Sequence, residues 1–593
     1  MKDGKPFRFV GGSMQYFRVP RAYWGDRLRK LRMGGLNVVD FYIDWSGHEP
    51  ESGHYNFRGN YDLDAFIREV KKAWPARQVD NAAYPYWLVR KHPDIRYRTL
   101  QKVYTQEVTT WFNILLPRLA PHLYKNGGPI ILVQLENEYG HLDGYCEPGY
   151  MEFMLSLQER LLGKDVVMFR SDSPEQSRYD CDRVRDILVG GNCYPKTNVI
   201  EAFKDIRKGM VKKGGPILVP EYYTGWMDYW GWNHNKEDPK DIVRTFKKMM
   251  DQGANVIFYL YHGGTSFGFK AGTSAGSPLV TSYDYNAPLA EDGDPRPVYF
   301  SIRKVIERYM HVPSGKLPRA SPKLNIGAVA LDRVASLDDV MQHFRQKHWL
   351  KRRVSQHPMT FEEIGQDFGF VLYTTKAKVP RNGYYNITLH GLRDRAQLFV
   401  RNERHLMQAF VTNDKDKPKL WSKVLVKKEE NLSVLVENQG RECFGPKNKD
   451  PKGVRYVTAN GVNMTGWTTE AVPVTRNRDI SELMRFLAGR RRRTCKKAPC
   501  FVYGSFVLPP EQRPLDTFLD PSNYTKGVAF VNGINVGRYW PTVGPQVTLY
   551  VPGVFLRPHP EQNLVVMMEV DGVREPGRDC VSFVDKPLLD ADL

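Results

Sequence analysis

Short apolar runs alternate with longer amphipathic stretches through residues 1–310. The runs fall at 7–13, 36–42, 129–135, 166–170, 187–190, 216–220 and 255–261. Apolar runs of that length, bounded by Gly, Pro or polar residues, read as buried parallel strands. Between them, at 63–73, 104–124, 150–162 and 239–252, apolar residues return every three to four positions. That is the period of a helix with one buried face. Alternating β and α elements predict an α/β domain, a (β/α)8-type barrel. A doubly wound open sheet is the alternative, but no G-x-G-x-x-G follows the first run, which weakens its dinucleotide-binding form.

The pattern changes after residue 310. Residues 311–323 hold Pro and Gly breakers and read as a linker. Beyond them, short Val-, Leu- and Tyr-rich runs separated by turn residues occupy 368–373, 384–390, 396–400, 432–436, 528–531 and 547–551. These predict two all-β units of the sandwich or jelly-roll kind. The division reads as a barrel over 1–315, a first β-sandwich over 316–490 and a C-terminal jelly roll over 491–593. Residues 332–353 are rich in charge and show little apolar periodicity, so they are expected to form a poorly ordered insertion.

Two apolar runs deliver a glutamate at their ends. One is ILVQLENEYG (131–140), with Glu138; the other is ILVPEYYTGW (217–226), with Glu221. The residue just past a barrel strand faces the catalytic mouth. Glu138 and Glu221 therefore face one cleft although 83 positions separate them. Two carboxyls across a sugar, one protonated and one ionised, are the minimum machinery of glycosidic bond cleavage. Asn137 is a neutral donor suited to a sugar hydroxyl. Tyr222 and Tyr223 are placed to donate to Glu221, and Trp226 offers a stacking wall. Glu136 points the other way along its strand and is expected only to add negative charge. A single Glu after an apolar strand is more often a salt-bridge partner; the pair, in this context, reverses that weighting.

Composition adds less. Aromatic residues make up 12% of the chain, with 32 Tyr and 12 Trp, which suits sugar stacking but also suits any large enzyme. The formal charge of +20 favours anionic partners, sulfated or sialylated glycans among them. Much of it is dispersed. The one dense block, residues 490–497, reads first as a solvated loop, and no nucleic-acid-binding motif accompanies it. Seven cysteines show no metal-ligand spacing. Cys495 and Cys500 lie close together, but nothing completes a zinc site around them. No metal or other cofactor is expected. Sequons begin at Asn386, Asn431, Asn463 and Asn523, in keeping with a secretory route. The opening MKDGKPFRFV has no apolar core of a signal peptide, so the N-terminus is expected to be incomplete. No apolar run approaches a membrane span.

The string Gly127-Gly-Pro-Ile-Ile-Leu-Val-Gln-Leu-Glu-Asn-Glu-Tyr139 resembles the signature of glycoside hydrolase family 35, the β-galactosidases, and most closely their animal acid branch. The resemblance continues at 12–24, at Tyr42 with His48-Glu49-Pro50, at 221–226, 263–267 and 281–289, and again at 530–541. It implies retaining hydrolysis of terminal β-galactose, with Glu138 as acid/base and Glu221 as nucleophile. It implies Tyr42, Asn137, Tyr259 and Tyr285 in the galactose pocket and a disulfide between Cys146 and Cys181. It leaves Cys580 unassigned. His48 and His262 read as packed side chains rather than metal ligands. Galactoside glycans, glycolipids among them, are the implied partners, with no nucleic acid and no transmembrane segment expected and self-association left open; the implied location is the lysosome or the exterior. One departure stands out. Family members carry an apolar third strand where this chain has only residues 74–83, containing Pro75 and few apolar side chains. The third strand is expected to be lost or degraded. A non-catalytic glycan-binding or scaffold protein is the alternative that this departure raises.

Overall fold

The computed structural model describes the chain except residues 1–2, 74–76, 83, 142–145, 186, 212–213, 402, 410–417, 444–449, 492, 576, 578 and 591–593. Eight parallel strands close into a barrel in chain order: β1 (Val10–Met14), β2 (Val38–Asp44), β3 (Arg77–Ala82), β4 (Ile130–Asn137), β5 (Met168–Asp172), β6 (Leu188–Gly191), β7 (Leu218–Tyr223) and β8 (Asn255–His262). Inside its N-terminal end, Phe9, Val38, Leu132, Phe169, Leu218 and Ile257 form one apolar plug. The helices wrap outside. In Pro239–Asp251, for example, Ile242, Phe246, Met249 and Met250 are buried, at helical spacing, while the lysines face water. With the lower barrel filled, the polar strand ends are left to form the mouth.

The third strand is present, which corrects the expectation of its loss. β3 pairs with β2 through six residues, from Val39 opposite Arg77 to Asp44 opposite Ala82. It is degraded nonetheless: its sequence is RQVDNA, and its ladder to β4 shifts register between Arg77 and Gln78. A parallel ladder is made of backbone N–H and C=O groups, so polar side chains do not forbid it. Open edges on β2 and β4 favour its formation. Pro75 lies outside the described residues.

The segment 332–353 is also ordered. It contains the strand Arg333–Ser336, the helix Leu337–Gln346 and the start of the strand Arg352–Ser355. Ser336 caps the helix in a reciprocal box with Asp339. Leu337, Val340, Met341 and Phe344 form its buried face. The charges lie on the remaining faces and hide this periodicity from a count of charge. The basic block also has partners here, since Arg490 meets Asp339 at 3.2 Å and the Arg493 N–H donates to the Asp332 carbonyl at 2.7 Å.

The β-rich half holds two sandwiches. In the first, the sheet of Arg352–Ser355, Trp467–Ala471, Gly369–Lys376, Asn431–Asn438, Arg395–Val400 and Glu403–Gln408 faces a sheet of Trp421–Val426, Gly383–His390, Tyr456–Ala459 and Val462–Asn463. In the second, five- and four-stranded sheets enclose a core around Leu519, Val531, Leu549 and Phe583. The strands Gly327–Ala330 and Arg333–Ser336 pair with Cys580–Val584 and Cys500–Val507. A boundary at 316 therefore assigns to the first sandwich two strands that pairing places in the second. The C-terminal unit also braces the barrel: Tyr23 donates to Asp516, and Thr281 to the Arg538 carbonyl. Among the described residues, no helix is long and apolar enough to cross a membrane.

Candidate active site

The ends of β2, β4, β6, β7 and β8 converge on one cluster. Glu221 lies within β7 and is buried; Glu138 immediately follows β4 and is half-buried. Glu138 has φ +51°, a left-handed conformation that a glutamate adopts only under constraint. Its N–H donates to the Ser171 carbonyl at 2.6 Å, which ties the turn to β5. The Tyr223 hydroxyl lies 2.7 Å from Glu221 Oε2 and 3.4 Å from Glu138 Oε1. Those two carboxylate oxygens are thus no more than about 6 Å apart. Retaining glycosidases hold their carboxyls at about 5–5.5 Å and inverting ones at about 6.5–9.5 Å.

Each carboxylate is held from several sides. Tyr42 donates to Glu221 Oε1 at 2.6 Å, so Glu221 receives two phenolic hydroxyls. Asn192 donates to Glu138 Oε1 at 2.9 Å, and its own Oδ1 accepts from Ser171 at 2.6 Å. The segment after β6 pins the end of β7: the Cys193 N–H donates to the Glu221 carbonyl at 2.9 Å and the Tyr223 N–H to the Cys193 carbonyl at 3.0 Å. Burial, then the charge of Glu138, pushes Glu221 up to about 8, against the pull of the two phenols. Asp40 lies two residues before Tyr42 on β2, is pushed up to about 7 by burial, and adds to the repulsion. Mutual repulsion at this distance disfavours double ionisation, so the pair behaves as a unit that holds one proton.

Aromatic rings build the walls. Tyr42 and Tyr259 approach to 5.7 Å between centroids, Tyr259 and Tyr285 to 5.6 Å, and Trp226 and Tyr285 to 6.0 Å. Among the described residues, nothing bonds the buried Tyr285 hydroxyl. An unpaired buried hydroxyl costs stability unless a ligand group meets it. The Asn137 Oδ1 accepts from Gln134 at 2.8 Å, which leaves the Asn137 Nδ2 as its donor. Tyr42, Asn137, Glu138, Glu221, Tyr259 and Tyr285 thus meet around one mouth. Cys146 and Cys181 form a disulfide.

Two neighbours of the pair depart from their expected parts. Tyr222 points out of the barrel and donates to the Ile242 carbonyl at 2.8 Å, so of these two adjacent tyrosines Tyr223 alone serves Glu221. Alternation along a strand sends consecutive side chains to opposite faces. Glu136 does not supply repulsion: Arg98 grips it through two bonds of 3.0 and 2.8 Å, and Tyr150 donates to it at 2.8 Å. Asn192 and Tyr194 escaped the sequence reading. Tyr194 is half exposed and stacks on Tyr223 at 4.6 Å, forming an outer rim. The run LVGG that precedes them is too short to mark its own exit. Elsewhere, Cys495 and Cys500 form a second disulfide, and His48 and His262 are buried, their rings held neutral by burial.

A parallel eight-stranded barrel that brings two glutamates to its mouth within this distance has the carboxyl pair that a glycoside hydrolase requires. Comparison with known sequences specifies the family. The model for glycosyl hydrolases family 35 matches residues 1–309, that for the β-galactosidase first all-β domain 358–473, and that for the β-galactosidase galactose-binding domain 499–563. The β-galactosidase of Bos taurus is 35% identical, over 99% of this chain and 92% of that protein. The β-galactosidase-1-like protein of Mus musculus is 36% identical, over 100% and 91%. The Homo sapiens β-galactosidase is 32% identical, over 99% and 89%. The chain belongs to glycosyl hydrolases family 35.

Proposed function

We propose that this protein is a retaining exo-β-galactosidase that releases terminal β-galactose from glycoconjugates. The observation that carries this reading is the single hydroxyl of Tyr223 within bonding reach of both Glu138 and Glu221. In the first step, Glu221 attacks the anomeric carbon while Glu138 gives its proton to the departing oxygen. In the second, Glu138 takes a proton from water, and that water displaces the galactosyl ester from Glu221. Two phenols on Glu221 suit the carboxylate that must be ionised at attack, and the less buried Glu138 sits where a leaving group can depart. Tyr42, Asn137, Tyr259 and Tyr285 are assigned to the galactose, and Tyr194 to the wall beside the group being released. This chemistry uses no cofactor.

The same reading assigns the barrel to 1–315, with the sandwich and jelly roll of 316–490 and 491–593 as supports, subject to the pairing of 327–336 described above. It places the protein in the lysosome or outside the cell, acting on neutral or anionic galactoside glycans. The test is turnover of a chromogenic β-galactoside by the full chain, by Glu221→Gln and by Glu138→Gln. Turnover by the parent and loss in both variants supports the assignment; undiminished turnover by Glu221→Gln refutes it. The polar composition of β3 favours one competing reading, a family member that binds galactosides without cleaving them. A folded parent chain that binds galactose and leaves the chromogenic substrate intact would establish that reading instead.

A further inference from the structure

One face of the first sandwich is exposed, ringed and carries a sequon. The strand Gly383–His390 buries Tyr385, Ile387 and Leu389 inward, so Tyr384, Asn386, Thr388 and His390 point outward. Asn386 and Thr388 are the acceptor and hydroxyl positions of the sequon Asn386-Ile-Thr388. Tyr384, two residues before the acceptor, is 64% exposed. On the neighbouring strand Lys423 stands opposite Asn386 and Trp421 opposite Thr388, and Trp421 is 54% exposed. Diagonal positions on one face lie about 7–8 Å apart, within reach of a large ring. Asn386 therefore emerges between two ring faces that the protein leaves to water. The Lys423 ammonium lies 5.6 Å from the Tyr384 ring and holds it beside the acceptor.

We propose that Asn386 carries an N-linked glycan whose first sugars lie on Tyr384 and Trp421, the occupant of this otherwise bare face. The covalent step joins the Asn386 side-chain nitrogen to the anomeric carbon of a polyprenyl-diphosphate oligosaccharide. The sugar–phosphate bond breaks, the diphosphate leaves with the bonding pair, and the amide loses one proton to solvent. In the finished fold nothing opposes this. The Asn386 backbone N–H donates to Asn460 Oδ1 at 2.8 Å and fixes the strand, while no described residue bonds its side-chain amide. The apolar CH faces of the proximal sugars then cover rings that would otherwise form an exposed patch. The sequon at Asn523 is unlike this one. Its side-chain nitrogen is half-buried and donates to the Cys580 carbonyl at 3.2 Å and to the Cys580 sulfur at 3.3 Å, so a glycan there would break both contacts.

The inference rests on the secretory-route part of the proposed function, and its test separates the two. The full chain, secreted from a eukaryotic host behind a heterologous leader, is deglycosylated enzymatically in heavy-oxygen water, and each formerly occupied Asn is read by peptide mass spectrometry. Label is expected at Asn386 and not at Asn523. Label at Asn431 or Asn463 with none at Asn386 overturns this proposal alone; no label at any sequon overturns the secretory route with it. Hydroxyl-radical footprinting of the glycosylated protein, the enzymatically deglycosylated protein and N386Q tests the stacking. Tyr384 and Trp421 should oxidise several-fold more slowly with the glycan in place. Equal oxidation in all three samples overturns the stacking.

Discussion

Replacing Glu221 with Gln should stabilise the protein while silencing it. Glu221 is buried, and its carboxyl is pushed from 4.5 up to about 8. The pair in the folded state therefore holds a proton that the unfolded chain has released. A carboxyl raised in this way favours the folded state fully below pH 4.5; that advantage is lost as pH rises and is gone above about 8. The advantage lost amounts to ~1 kcal/mol at pH 5 and ~3 kcal/mol at pH 7, as upper bounds, because part of the push comes from the charge of Glu138 rather than from burial. Gln keeps the shape and has no proton to lose. Paired denaturant titrations of parent and Glu221→Gln at pH 5 and pH 7 measure the gap, and titratable groups remote from the pair cancel. The gap should favour the variant and widen with pH. A gap independent of pH, or a variant less stable at pH 7, would refute the claim that burial and Glu138 load this carboxyl.

Other outcomes follow from the same geometry. Removing the shared hydroxyl in Tyr223→Phe should lower kcat on the order of 10²-fold with a smaller change in KM, measured by steady-state kinetics on a chromogenic galactoside. Because the pair must keep one proton, kcat/KM should fall on the alkaline side with a limb near or below 8, and a rate still rising through that range would contradict it. Arg98→Met should cost about 3–5 kcal/mol in urea unfolding by leaving the largely buried Glu136 carboxylate without a counter-charge, with partial recovery in the double variant with Glu136→Gln. Opening the Cys146–Cys181 link by double serine substitution should cost about 3–4 kcal/mol, since it closes a separation of 35 residues.

The two glutamates were legible because a buried strand ending on an acid is a local pattern. Their neighbours were not, because strand phase decides them. Tyr222 and Tyr223 are chemically alike, and β7 shifts register between Val219 and Tyr222, so only the ladder shows which one faces the mouth. Glu136 carries the same charge as Glu138, and its partner Arg98 comes from a loop 38 positions away. β3 was hidden because its sequence, RQVDNA, lacks the apolar run that marks a buried strand, and the backbone pairing that forms it leaves no mark on composition. The helix Leu337–Gln346 was in plain view as Leu337, Val340, Met341 and Phe344, but the surrounding charge outweighed them. Sheet pairing between residues 327–336 and the C-terminal strands has no local signature.

The division of labour between the two glutamates can be tested on the covalent intermediate itself. A slow fluorinated galactoside that accumulates the ester, followed by proteolysis and peptide mass spectrometry, should place the added sugar on Glu221. An added sugar on Glu138 or on any other side chain, or rapid turnover with no ester formed, would contradict the mechanism.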